Sequence, residues 1–271
     1  MMVTIERVSI SANPQLRFDS ANAKLERLID YLEKLWGKRV NVYSLSLPAG
    51  YSCPFADECL SKSDRETGKI TDGPNNQFRC FMASTEAYSK DLRAKLWENY
   101  TALRNCKSVD EMVALIEASF PVDADIIRAG VDGDYYNQMY FDAWLQVMRN
   151  HPDVMFYGYT KSLPYWVARL DNMPPNFNLT ASRGGKADHL INEYSLKSST
   201  VVLHPRQAAK LGLEIDHDET HALFGDVSFA LLIHGTQPAG SESSKALSTL
   251  KREGISYSYS KSSNRKTKAS S

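Results

Sequence analysis

The sequence has little cysteine, no excess of either charge and no long apolar run, and each shortage narrows what the chain can be. Four cysteines in 271 residues are too few for a disulfide framework. The 32 basic residues are matched by 32 acidic ones, so the chain as a whole lacks the basic surplus that nucleic-acid binding requires. No stretch approaches the ~20 apolar residues of a membrane helix. The opening Met-Met-Val-Thr-Ile-Glu-Arg has no basic region followed by an apolar core, so it does not read as a secretory signal. These absences predict a cytoplasmic protein with no membrane partner. At 42% hydrophobic residues, the chain can still bury a full core.

Three of the few cysteines lie together. Cys53-Pro-Phe-Ala-Asp-Glu-Cys59 and Phe-Arg-Cys80-Phe follow the first convincing strand, Asn41 to Leu47, which closes at Pro48-Ala49-Gly50. In a reducing compartment, clustered thiols read as metal ligands or catalytic groups. Thiolates are soft anionic donors, and three of them suit a 4Fe–4S cluster with one iron left for substrate, cofactor, water or a histidine. A zinc site of three thiolates and a histidine is the competing reading. Zinc motifs, however, usually pair ligands two to four residues apart, and here 5 and 20 residues intervene. Cys106 reads as an ordinary helix-end residue.

The order of elements gives the fold. A helix is predicted over Ser20 to Trp36, where Leu25, Leu28, Ile29, Leu32 and Leu35 share a stripe that Gly37 ends. Cys53 to Arg79 is polar and aperiodic, and a run this long inside a compact protein is usually functional. Helices are predicted over Thr85 to Arg104 and after the capping box Ser108-Val-Asp-Glu111. Strands Ala124 to Val131, Val154 to Tyr159, Asn176 to Ala181, Thr200 to His204 and Val227 to His234 then alternate with helices. With the first strand this makes six strand-then-helix units, which predicts an α/β fold built on a parallel sheet. The expected form is a partial parallel (βα)6 TIM-like barrel with N-terminal helices and a long cysteine-bearing loop. The predicted organisation is a single domain over 1–254, with a helical extension over 1–38 and the barrel over 39–254. Residues 255–271 read as a disordered basic tail, either a solubilising terminus or a minor nucleic-acid contact.

Parallel βα folds carry their sites beyond the carboxyl ends of the strands. Those positions hold the three cysteines, Asp132-Gly133-Asp134, Tyr159-Thr160-Lys161, Ser182-Arg183-Gly184-Gly185, His204 and His234 through Ser241. On this reading Asp134 orients an amine, and Ser182 and Arg183 hold a carboxylate or ribose hydroxyl. Lys161 grips an anion, and His234 carries a proton or provides a fourth ligand. The first amides after Gly184-Gly185 favour anions. His217-Asp-Glu-Thr-His221 has ligand-like spacing but reads as an acidic surface loop.

Several of these stretches resemble a phage-encoded family named after gene eighty-eight of a mycobacteriophage. They are Ser46-Leu-Pro-Ala-Gly50 with Cys53-Pro54, Gly68 to Gly73, Phe78-Arg-Cys80-Phe, Tyr159-Thr-Lys161-Ser-Leu, Leu179 to Gly185 and His234-Gly-Thr-Gln-Pro-Ala-Gly240. The resemblance covers about residues 40 to 254 and implies expression in an infected bacterial cytoplasm. A more distant resemblance, in the order and placement of parts, is to radical S-adenosylmethionine enzymes. It implies a 4Fe–4S cluster on Cys53, Cys59 and Cys80, and S-adenosylmethionine held near Asp134, Ser182 and Arg183. That superfamily's compact CxxxCxxC is replaced here by widely spaced cysteines. Two function classes follow. One is an enzyme whose open iron meets a small-molecule ligand, through radical chemistry or as a Lewis acid in a hydrolase such as an esterase. The other is a cluster-stabilised, non-catalytic phage protein associated with nucleic acid.

Overall fold

The computed structural model describes residues 15–21 and 25–255, so the predicted basic tail lies almost wholly outside the described residues. In chain order come β1 (Asp19–Ser20), α1 (Glu26–Trp36), β2 (Val42–Leu45), β3 (Ser61–Ser63), β4 (Ile70–Asp72) and α2 (Phe81–Tyr88). Next are α3 (Lys90–Asn105), α4 (Val109–Glu117), β5 (Ile126–Ala129), α5 (Gln138–Asn150), β6 (Met155–Thr160) and α6 (Leu163–Val167). The chain then runs through β7 (Phe177–Ser182), α7 (His189–Glu193), β8 (Ser198–Val202), α8 (Pro205–Leu211), α9 (Thr220–Leu223), β9 (Phe229–Leu232) and α10 (Glu242–Arg252).

Seven strands form one sheet in the order β1-β2-β5-β6-β7-β8-β9. All neighbours from β2 to β9 pair in parallel, and β1 adds an antiparallel edge with Ser20 opposite Tyr43. The six parallel strands are those expected from the sequence, and spatial order follows chain order throughout. Each crossover therefore lands beside the strand it left, so every parallel strand presents its carboxyl end to one rim.

Alternation along the strands sorts side chains between two faces. On one face, Leu45, Ile127, Ala129, Phe156, Leu179 and Ala181 pack with α4, α5 and α7 around the buried Phe141, Trp144 and Met148. Burying each such side chain contributes about 1.5–3 kcal/mol. On the other face, Val42, Ile126, Tyr157 and Phe229 meet Leu25, Leu28 and Leu32 near α1, and Ala222 and Leu223 of α9. Helices thus close the lower part of that face, while Arg128, Tyr159, Val201 and Leu231, two residues further along their strands, line open space.

Four local expectations are corrected. Ser20 lies in β1 and not in the first helix, which starts at Glu26. The helix expected over Thr85 to Arg104 is two helices broken at Ser89, whose hydroxyl accepts the Leu92 N–H (3.2 Å) and caps the second. The aperiodic cysteine loop contains the hairpin β3–β4, too short for its two-residue alternation to stand out. The acidic segment around His217 is a surface loop only in part: His217 is exposed, whereas Asp216, Glu219, Ala222 and Leu223 are buried. Among the described residues, no helix is long and apolar enough to cross a membrane.

Candidate functional site

A cavity of about 190 Å³ opens beyond the carboxyl ends of β2, β5, β6, β7, β8 and β9. One ordered water needs ~10–15 Å³ of such space, so the cavity has room for a small organic molecule. Cys53, Cys59 and Cys80 all line it, together with Asp132, Asp134, Lys161, Ser182 and His234. The sequence brought these residues to one rim only if six strands were parallel and in order, and they are.

Two glycines fit the cysteine loop to that rim. Gly133 has φ +76°, and a Cβ there would lie 2.3 Å from Ser52 Oγ and 2.9 Å from the Leu47 carbonyl oxygen. Gly184 has φ +90°, and a Cβ would come within 2.7 Å of Glu58 Oε2. Both turns press directly on the Pro48–Cys59 segment, and only glycine allows the approach. The Glu58 N–H donates to the Gly184 carbonyl (3.0 Å) and the Lys186 N–H to the Phe55 carbonyl (2.9 Å). The first two thiols are thereby docked on the turn after β7.

Cys80 is held from a different direction. It stands at the N-cap of α2, and the preceding residue is tied to the segment after β9. The Arg79 N–H donates to Gln237 Oε1 (2.8 Å), and Gln237 Nε2 donates to the Arg79 carbonyl (3.1 Å) and the His234 carbonyl (3.0 Å). Ser84 Oγ donates to the Thr236 carbonyl (3.2 Å).

All four cysteines are free thiols. Burial, then Asp134, Cys80 and Cys59, push the Cys53 thiol well up, while the Gly50 N–H (3.3 Å from its sulfur) pulls it back a little. The Cys80 thiol is pushed up to about 12, first by burial and then by Cys59, against the amides of Ala83 and Met82. Among the described residues, no group of three or more His, Cys, Asp or Glu is set to hold a single metal ion. Cys106 lies apart, its thiol donating to the Ala102 carbonyl (3.6 Å).

The other strand-end residues are engaged with the protein. Asp134 accepts from Thr160 Oγ1 (2.6 Å), the Lys161 N–H (2.8 Å) and the Tyr135 N–H (2.7 Å). Its pKa is raised by burial, which these donors oppose. Lys161 Nζ donates to Ser182 Oγ (2.6 Å), the Ser182 carbonyl (3.1 Å) and the Arg183 carbonyl (2.8 Å). Arg183 does not line the cavity; its guanidinium donates to Ser198 Oγ (3.3 Å) and Asn192 Oδ1 (3.2 Å). The Gly184 and Gly185 amides, read as an anion site, donate to the Asp188 carboxylate (2.8 and 2.9 Å). His234 lines the cavity, its Nδ1–H donating to the Leu232 carbonyl (3.1 Å).

The cavity floor went unseen in the sequence. Arg128 Nη1 is ion-paired with Glu219, both buried, and Tyr157 Oη donates to the other Glu219 oxygen (2.7 Å). The guanidinium lies over the Tyr157 and Tyr159 rings, 5.8 and 5.3 Å from their centroids. Glu219 has φ +69°, a strained conformation for a side-chain-bearing residue. A charge inside Ile126-Ile127-Arg128-Ala129 was the available signal, because a buried charge demands a partner.

Comparison with known proteins agrees with these motifs. Residues 14–251 match the family model described as Gene product 88. The chain is 30% identical to the Gene 88 protein of Mycobacterium phage L5 over 149 residues, covering 50% of this chain and 56% of the relative. It is 29% identical to the Gene 88 protein of Mycobacterium phage D29 over 128 residues, covering 44% and 47%. The chain thus spans about half the length of these curated relatives. No solved structure matches. With the family model covering nearly all of the described chain, the protein belongs to the Gene product 88 family.

Proposed function

We propose that this is a phage-encoded iron–sulfur enzyme in which Cys53, Cys59 and Cys80 hold a 4Fe–4S cluster at the mouth of the cavity. The observation that carries the reading is the meeting of three free thiols, from two separately anchored segments, on one cavity wall. The 5 and 20 residues between them, wider than the two to four usual between paired zinc ligands, favour a cluster over a zinc ion. Backbone amides at Cys53 and Cys80 suit thiolate ligands, since N–H donors stabilise sulfur charge. The partial-barrel form belongs to this proposal and is supported by sequential parallel strands whose carboxyl ends surround one cavity.

A bound cluster with three protein ligands would supply one iron coordination position for a donor atom of substrate or cofactor. The chain's own residues shape what reaches it. Arg128 and Glu219 set the floor, His234 stands on the wall as a proton carrier, and the Asp134–Thr160–Lys161 contacts fix the rim. Two reaction classes share this arrangement. S-adenosylmethionine cleavage needs polar groups for an amino acid and a ribose. Asp134 and Ser182 are engaged with their neighbours and Arg183 turns away, which favours the alternative of Lewis-acid activation of an ester.

The test is anaerobic purification of the full chain with iron and sulfide analysis. About four iron and four sulfide per chain are expected. Colourless protein with stoichiometric zinc would refute the cluster. Reduced protein is then given S-adenosylmethionine and assayed for 5′-deoxyadenosine, and given simple esters in parallel.

A further inference from the structure

The cavity also restricts what can enter it. Three side chains lining it carry a fixed positive charge, Arg79, Arg128 and Lys161, and each is committed. Arg79 is bound by Asp72 through Nε (3.0 Å) and Nη2, Arg128 by Glu219, and Lys161 by three oxygens of Ser182 and Arg183. Three carboxylates also line the cavity: Glu219, paired with Arg128, Asp134, held by Thr160 and Lys161, and Asp132. Recognition of phosphate needs an uncommitted cation or a set of open amides. The amides read from the sequence as an anion site, those of Gly184 and Gly185, are filled by Asp188. The far wall, from Phe78, Phe81, Val201, Leu231 and Ile233, is apolar.

From these commitments we infer that the cavity's substrate is a largely apolar small molecule of about one or two rings that carries no negative charge, and not a nucleotide or other phosphate ester. The inference rests on the preceding reading only in treating this cavity as the reaction chamber. An anionic ligand would have to draw Arg128 from Glu219 or Lys161 from its three acceptors, at the cost of those buried contacts. An apolar ring displaces only water from the Val201–Leu231–Ile233 wall, and hydrophobic lining with a few fixed polar groups is the usual make-up of a small-molecule pocket.

Saturation-transfer NMR on the full chain tests it, using indole as the neutral probe and AMP and inorganic pyrophosphate as the anionic ones. Indole is expected to bind saturably, and Val201→Trp, which fills the cavity, to weaken it at least about tenfold. AMP and pyrophosphate are expected to give no signal that Val201→Trp removes. Circular dichroism and the thermal midpoint report whether that variant folds, and Ile233→Phe is the second variant if it does not. The inference is overturned if either anion binds in a Val201-sensitive way. It is equally overturned if indole fails to bind, or binds to the folded cavity-filling variant as to the parent. Each measurement is made on iron-loaded and on iron-free protein. Indole binding by a chain that never acquires iron would sink the cluster and leave this inference standing.

Discussion

Gln237 and Arg79, 158 residues apart, face each other as a closed amide pair: the side-chain carbonyl accepts the Arg79 N–H and the side-chain amide donates to the Arg79 carbonyl. Gln237 therefore acts as a strand mate for one residue, and that residue immediately precedes Cys80. Gln237→Ala removes the side-chain partner of three half-buried backbone groups, the Arg79 N–H and carbonyl and the His234 carbonyl, at no more than about 1–3 kcal/mol each. The expected result is faster amide exchange over residues 77–82, measured by hydrogen–deuterium exchange, with α5 unaffected. Unchanged exchange there would mean that the pair does not hold the third thiol.

The thiols give the second prediction. Alanine at Cys53, Cys59 or Cys80 is expected to remove most of the iron from anaerobically prepared protein, while Cys106→Ala keeps it. The contrast follows from position, because Cys106 bonds its own helix at Ala102 and does not line the cavity. Equal loss from all four variants would indicate a folding defect and not ligation.

Glu86 sets a pH dependence. It is fully buried in α2, with Oε1 accepting the Ala49 N–H (2.8 Å) and Oε2 without a partner. Burial raises its pKa from 4.5 to about 7, against the Ala49 amide and Arg93. The native state therefore holds a proton that the unfolded chain releases between those values. Stability is highest below the ordinary carboxyl pKa, falls as pH rises toward about 7 and is flat above it. The change is of order 2–3 kcal/mol. Urea denaturation across pH 5 to 8 is expected to show this slope in the parent and to lose it in Glu86→Gln. A slope that persists in the variant would assign it to other groups.

The cavity floor supplies the fourth. Glu219→Gln leaves the Arg128 guanidinium buried without its counter-charge, at about 3–5 kcal/mol. Tyr157→Phe removes one hydrogen bond, at about 1 kcal/mol. Denaturant midpoints should rank parent, Tyr157→Phe and Glu219→Gln in descending order, and a Glu219→Gln protein as stable as the parent would refute the pairing.

Much of the architecture was legible because it is carried by local signals. The apolar run from Val154 to Tyr159 and the helical stripe of Phe141, Trp144, Leu145 and Met148 fix elements whose order alone implies a parallel sheet. The rim was legible in turn, since parallel strands share a carboxyl end. Hydrogen-bond partners were not. Whether Arg183 faces the cavity or Asn192 depends on the last turn of β7 and on what α7 offers, which no spacing encodes. Asp188 filling the Gly184–Gly185 amides, and Glu219 reaching Arg128 from a segment that looks solvated, are tertiary events. Residues 91 positions apart in sequence leave no periodic trace.

The docking of the cysteine loop also bears on the order in which the protein is made. Its landing places, Gly184 to Lys186 and the segment from His234 to Gln237, lie far downstream of the thiols they secure. On a growing chain the cysteines leave the ribosome long before these two landing places exist. The mouth of the cavity can be completed only after β9 has been synthesised. Any ligand that needs all three thiols at once therefore meets a finished site only after β9 has been made, and until then the thiols stand apart from the two turns that later anchor them.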